Sequence, residues 1–211
     1  MTALGAQART GTQAQTGTPP RIDRRRFVAD LISRLPEDAL VVSGLGSPSY
    51  DVFAAGDRPG NFYLWGAMGA AAPLALGLAL AQPERPVVAI TGDGEHLMGI
   101  GALGTIGAVL PPNLTIVVLD NAHFGETGMQ PSHTGLGTDL VAVARGFGIR
   151  DTVRITDLDQ AEDLAARIRA RTATTYAQVL ITTDEPPRAL PPRDGVANKN
   201  SFRAALGLST F

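Results

Sequence analysis

The sequence predicts a doubly wound α/β domain, a parallel sheet with helices on both faces. Continuous β-branched runs such as "PVVAIT" and "LTIVVLD" suit strands buried on both sides better than alternating patterns do. These runs alternate with helical segments, as crossover connections require. A chain of 211 residues has room for one substantial core with tails. Residues 1–20 are mostly Gly, Thr, Gln, Ala and Pro, too poor in large apolar groups to offset ordering entropy, so a flexible tail is expected there. The domain is expected over 21–185, with 186–211 as a C-terminal extension. Within it the patterns predict a helix at 23–35, strand 39–43, a loop, helix 69–81, strand 86–91, helix 95–110 and strand 114–120. A long loop, helix 138–147, strand 151–155, helix 157–172 and strand 177–183 complete it. "RIDRRR" at 21–26 reads as a solvated helix start, and "RRR" at 24–26 as solvated surface rather than a phosphate site.

Composition narrows the chemistry. With 18 basic against 20 acidic side chains, a net charge of -2 gives no reason to expect nucleic acid or an anionic membrane as partner. The lack of cysteine excludes disulfides, thiolate metal sites and a cysteine nucleophile. Lys199 is the only lysine and lies in a polar C-terminal stretch, which excludes a P-loop lysine and a core Schiff base. No apolar leader segment is visible near the N-terminus, so a cytoplasmic location is expected. The uncharged stretch 64–81 is long enough to span a bilayer but is rich in alanine and glycine and holds Pro73; it reads as a buried, closely packed helix.

In such a sheet ligands bind at the carboxyl ends of the strands. The loops "GLGSPS", "GDGE" and "NAHFGETGMQPSHT" should therefore share one edge. A helix over 95–110 carries the chain back about 24 Å and strand 114–120 returns it about 23 Å, which delivers Asn121 beside Asp93. A carboxylate, an amide oxygen and a nearby main-chain carbonyl suit a hard cation such as Mg²⁺, with a ligand phosphate completing its shell. The helix N-terminus at 94–96 presents free N–H groups to the same anion, and Gly92 and Gly94 permit close backbone approach. Asp93 as a plain N-cap and Asn121 as a plain turn residue are the alternatives, weakened by their partnership.

"GDG", then a helix and strand, then "DN" in place of the usual paired asparagines, resembles the thiamine diphosphate motif. "WGAMGAAAPLALGLALAQP" (65–83) resembles the cofactor-pyrimidine segment of acetolactate synthases and related decarboxylases, and "SGLGSPSYD" (43–51) their first diphosphate-contacting loop. The resemblance spans roughly 39–183 and implies the diphosphate-binding, PP-type domain of the thiamine diphosphate fold. It implies that Asp93, Asn121 and the carbonyl of His123 hold Mg²⁺. Ser47, Gly94, Glu95, Gly125 and Glu126 would lie along the diphosphate, the last four through backbone groups, with Gly92 and Thr127 at the same cofactor edge. Gly66 and Met68 would meet the aminopyrimidine, with Met68 as the wedge that bends the cofactor and brings its 4′-amino group to the reacting carbon. His133 and Gln130 are candidates for substrate recognition or proton transfer, against the reading of plain loop residues. The spacing of the three histidines fits no common zinc pattern.

Two departures from that family stand out. Glu95 occupies a position where relatives commonly have serine, so a backbone role is expected of it. The pyrimidine domain, whose glutamate protonates the cofactor ring, has no room here, so the resemblance implies a partner subunit that supplies it. "FGETGMQPSHTG" (124–135) is similar to the diphosphate-side subunits of split sulfopyruvate and phosphonopyruvate decarboxylases. The implied protein is the small β subunit of a two-chain carboxy-lyase acting on a small 2-oxo acid, in a hetero-oligomer such as α2β2 or larger. A carboligase subunit like acetolactate synthase and a noncatalytic Mg-phosphate module are the alternatives. Gly99, Gly101, Gly104 and Gly107, read inside one helix, point to close helix contact across that interface.

Overall fold

The structure is a computed structural model that describes residues 21–209, so the tail expected over 1–20 lies outside the described residues. Its helices are α1 Arg24–Arg34, α2 Ser47–Ala54, α3 Ala71–Ala81, α4 Asp93–Met98, α5 Ala102–Val109, α6 Leu140–Gly146, α7 Gln160–Ala170 and α8 Gly195–Ala205. The strands are β1 Leu40–Ser43, β2 Asn61–Tyr63, β3 Val87–Gly92, β4 Leu114–Asp120, β5 His123–Phe124, β6 Gln130–Pro131, β7 Asp151–Ile155 and β8 Thr175–Leu180. Six of them pair in parallel in the order β2-β1-β3-β4-β8-β7, while β5 and β6 form a small antiparallel hairpin.

Every residue of β1, β4 and β8 is buried, because alternate side chains enter two separate cores. On one face Val41, Val88, Ile90, Val117 and Val179 meet Phe27 and Leu31 of α1, Val52 of α2, and Leu164 and Ile168 of α7. On the other Val42, Ala89, Ile116, Val118 and Tyr176 meet Ala75 of α3, Leu103 and Ile106 of α5, Leu140 of α6 and Phe202 of α8. The chain runs from β1 outward to β2 and returns through α3 to β3 on the other side of β1. The strand order thus reverses between β1 and β3, and the loops at their carboxyl ends part to leave a crevice.

Four elements depart from the expectations. The "GLGSPS" loop continues directly into α2, whose Pro48 sits in the first turn, where a missing N–H costs nothing. The expected helix 95–110 is two helices, α4 and α5, parted at Gly99–Gly101 where the chain presses on the turn before α3. A Cβ on Gly69 would stand 2.6 Å from the Gly99 nitrogen. Gly107 packs on the Phe147 carbonyl and Gly104 on the Phe147 ring, so close contact within this chain, rather than with a partner, accounts for Gly99, Gly104 and Gly107. Finally, 64–81 is not wholly buried: α3 begins only at Ala71 and turns Pro73, Gly77 and Leu80 outward. Among the described residues no helix is long and apolar enough to cross a membrane.

The last departure is α8, in the region expected as an extension. Phe202 packs on Phe62 of β2 with ring centroids 5.3 Å apart, and Asn198 Nδ2 donates to the Tyr63 carbonyl at 2.9 Å. Ahead of α8, the Trp65 indole N–H donates to the Pro192 carbonyl at 2.8 Å. The C-terminal segment therefore braces the chain that leads into Gly66 and Met68.

Candidate active site

A cavity of about 260 Å³ opens at the crevice between β1 and β3. Leu45, Ser47 and Pro48 at the start of α2 form one wall, and the Gly92–Glu95 turn forms the floor. Leu119, Asn121 and residues 123–127 form the facing wall, and Met68 closes one end. Ser47, Met68, Gly92, Asp93, Gly94, Glu95, Asn121, His123, Gly125, Glu126 and Thr127 are thus brought together. Gly66, Gln130 and His133 do not line the cavity. The His133 ring is exposed and lies edge-on to Phe124 at 6.2 Å, and Gln130 turns back to donate to the Thr127 carbonyl at 3.0 Å.

Asp93 is the first residue of α4 and is 2% exposed. Its Oδ2 accepts from the hydroxyls of Ser132, at 2.5 Å, and Thr134, at 3.1 Å. The Thr134 hydroxyl is also 2.8 Å from Oδ1 of buried Asp120, and one hydroxyl proton cannot serve two carboxylates at once. Asp120 is held further by the Ala122 N–H at 2.9 Å and the Gln178 amide at 2.6 Å. Burial, reinforced by the nearby Asp120 charge, pushes the Asp93 carboxyl up to about 6 against the pull of the two hydroxyls. Two buried carboxylates sharing hydroxyls are an arrangement that a cation would relieve.

The residues present fit a hard divalent cation. The hydroxyls engage only Oδ2 of Asp93, leaving Oδ1 for a metal. Asn121 Oδ1 accepts the His123 N–H at 2.9 Å and, as a carbonyl oxygen, retains a second lone pair. Among the described residues no group of three or more His, Asp, Glu or Cys side chains could hold an ion alone. A metal here therefore needs oxygens from a ligand, as Mg²⁺ does when it bridges a diphosphate. Gly94 lets the Phe124 ring pack on this turn: a Cβ there would meet the ring at 2.6 Å.

Glu95 turns its carboxylate away from this space. One oxygen accepts the Gly69 N–H at 3.2 Å, the other the Thr91 hydroxyl, and the group lies against Gly44. It ties the turn before α3 to the end of β3, and burial holds its carboxyl above the usual range. His96 faces inward, 3% exposed, with its ring 5.7 Å from that of Tyr176 and no partner for Nε2. Burial lowers its imidazole to about 4.

Sequence reasoning missed three groups. Ser132 and Thr134 reach Asp93 from a loop 39 and 41 positions away, a distance at which no periodicity signals contact. Their nearest sequence signal is the "SHT" run that follows β6. Arg24 was expected on a solvated surface, yet it is 8% exposed and lines the cavity. It packs against the fully buried Asp51 of α2, whose place in a helix was also unread.

Comparison with known proteins agrees with this geometry. Residues 49–180 match the family described as thiamine pyrophosphate enzyme, C-terminal TPP binding domain. Sulfopyruvate decarboxylase subunit beta of Methanocaldococcus jannaschii is 40% identical over 144 residues, 68% of this chain and 74% of that one. Phosphonopyruvate decarboxylase of Streptomyces viridochromogenes is 42% identical over 151 residues, 72% of this chain but only 38% of that longer one. Among solved structures, one described as a thiamin diphosphate-dependent enzyme from Mycobacterium smegmatis superposes with a TM-score of 0.67 at 26% identity, over 80% of this chain and 33% of that one. The chain belongs to the thiamine pyrophosphate enzyme family, through the C-terminal TPP binding domain, and resembles the sulfopyruvate decarboxylase β subunits.

Proposed function

We propose that this chain is the diphosphate- and Mg²⁺-holding subunit of a two-chain 2-oxo acid decarboxylase, releasing CO₂ and an aldehyde. The observation that carries the reading is the buried Asp93 carboxylate facing Asn121 across the crevice, in a chain related to decarboxylase subunits. Asp93, Asn121 and the His123 carbonyl would hold the metal. Ser47 and the backbone at Gly94, Glu95, Gly125, Glu126 and Thr127 would hold the diphosphate, with Gly92 permitting its approach. When bound, thiamine diphosphate supplies the carbon nucleophile and the electron sink for loss of CO₂.

This chain's own residues position and exclude. Met68 lines the cavity and would support the cofactor's bend, with Gly66 beside the pyrimidine. Glu95 locks the turn that carries Met68 through the Gly69 N–H. None of the three acidic residues at the cavity is free for proton transfer to a pyrimidine ring. Asp93 would hold the metal, Glu95 is tied to Thr91 and Gly69, and Glu126 pairs with Arg188 at 3.3 Å. That accounting supports a partner subunit supplying the glutamate. Gln130 and His133 are exposed and do not line the cavity, so they would meet substrate or partner rather than cofactor.

The test is to produce the chain with the product of its neighbouring reading frame and supply sulfopyruvate, phosphonopyruvate and pyruvate with Mg²⁺ and thiamine diphosphate. The reading expects CO₂ and the corresponding aldehyde from at least one acid, and neither from either chain alone. Acetolactate from pyruvate would replace it with carboligation. Inactivity toward every acid without cofactor binding would favour a noncatalytic module.

A further inference from the structure

Arg24 is the one Arg or Lys among the residues that line the site cavity. A second compartment of about 210 Å³ shares Arg24, Ser47, Asn121 and Gly125 with the first but not Met68 or Asp93. Arg24 therefore stands where the two compartments meet, beside Ser47, Asn121 and Gly125. Its Nε lies 3.2 Å from Asp51 Oδ2 without the alignment of a hydrogen bond, and its guanidinium makes no hydrogen bond among the described residues. Arg25 Nε takes the other Asp51 oxygen at 3.1 Å.

Asp51 is fully buried and faces two guanidinium groups, with Asp23 near enough to act on it, while Glu126, Asp184, Glu185 and Arg188 line the second compartment beside Arg24. A cation that is nine-tenths buried, unpaired by hydrogen bonds and opening on a cavity is costly unless an anion completes it. Glu126, which borders both compartments, has its own partner in Arg188 at 3.3 Å and does not fill that role. A guanidinium fork matches two oxygens of a phosphate group.

Resting on the function proposed above, we infer that Arg24, positioned by Asp51, grips the terminal phosphate of the cofactor and sets selectivity for thiamine diphosphate over thiamine monophosphate. A ligand with one phosphate would reach the metal ligands, and a second phosphate would bring oxygens within reach of Arg24 in the adjoining compartment. Arg24→Gln removes the guanidinium while leaving Asp51 paired with Arg25.

The test is calorimetric titration of the full chain in Mg²⁺ with thiamine diphosphate and with thiamine monophosphate. Arg24→Gln is expected to weaken the diphosphate at least tenfold, about 1.4 kcal/mol, while the monophosphate changes less than about twofold. Unchanged selectivity, whether both affinities fall together or neither falls, overturns the inference. If Arg24→Gln does not fold, Arg24→Lys decides: a point charge without the fork should lose selectivity in part, and full wild-type selectivity would contradict the role. Wild-type chain that binds neither compound even in complex with its partner subunit would instead remove the underlying functional reading, and this inference with it.

Discussion

His96 exposes the cost of burying an ionisable ring without a partner. The imidazole is 3% exposed, Nε2 meets no acceptor, and burial lowers its pKa from 6.5 to about 4. The depressed value means that the unfolded chain takes up the proton first as pH falls. Stability is therefore complete above about pH 6.5 and is lost as the medium is acidified toward pH 4. The full gap corresponds to about 3 kcal/mol, most of which should be lost by pH 4.5. His96→Leu fills a similar volume against Tyr176 and cannot titrate. Urea unfolding of both proteins at pH 7.5 and pH 4.5 should show near-equal stability at the higher pH and a less stable wild type at the lower. Buried Asp93 titrates in both proteins and drops out of the comparison. An equal acid-induced loss in wild type and variant would refute the reasoning.

Other predictions follow from packing. Gly94→Ala places a methyl 2.6 Å from the Phe124 ring at the cavity floor, so it should reduce thiamine diphosphate affinity more than tenfold in calorimetry while the far-ultraviolet spectrum stays unchanged. Phe202→Ala removes the buried contact of α8 with Phe62 and should cost about 3 kcal/mol in chemical denaturation. A loss below about 1 kcal/mol would mean that α8 is not part of the cooperative unit.

The parallel sheet and the meeting of Asp93 with Asn121 were legible because they depend on strand runs and element lengths, which scale with residue count. The elements that escaped depend on tertiary context. β2 is three residues long, too short for a pattern, and α8 contributes a single buried residue, Phe202, from an otherwise polar segment. The glycines at 99 and 101 read as costs within a helix, but they mark a break between two helices, where Gly99 presses on Gly69. Helix α2 was obscured by "SPS", which suits a turn as well as a first helical turn. Missing α2 hid Asp51, and missing Asp51 hid the reason that Arg24 is buried. The Ser132 and Thr134 hydroxyls escaped for a different reason: they reach Asp93 through loop geometry, which leaves no periodic trace.

The Asp93 carboxylate carries the account, since the proposed metal, diphosphate and partner arrangement all depend on it. Calorimetry of thiamine diphosphate binding to the wild-type chain and to Asp93→Ala, each with and without Mg²⁺, tests it directly. The account predicts Mg²⁺-dependent binding in the wild type and none in the variant, with both proteins folded by circular dichroism. Equal binding by a folded Asp93→Ala chain, or wild-type binding indifferent to Mg²⁺, would contradict it.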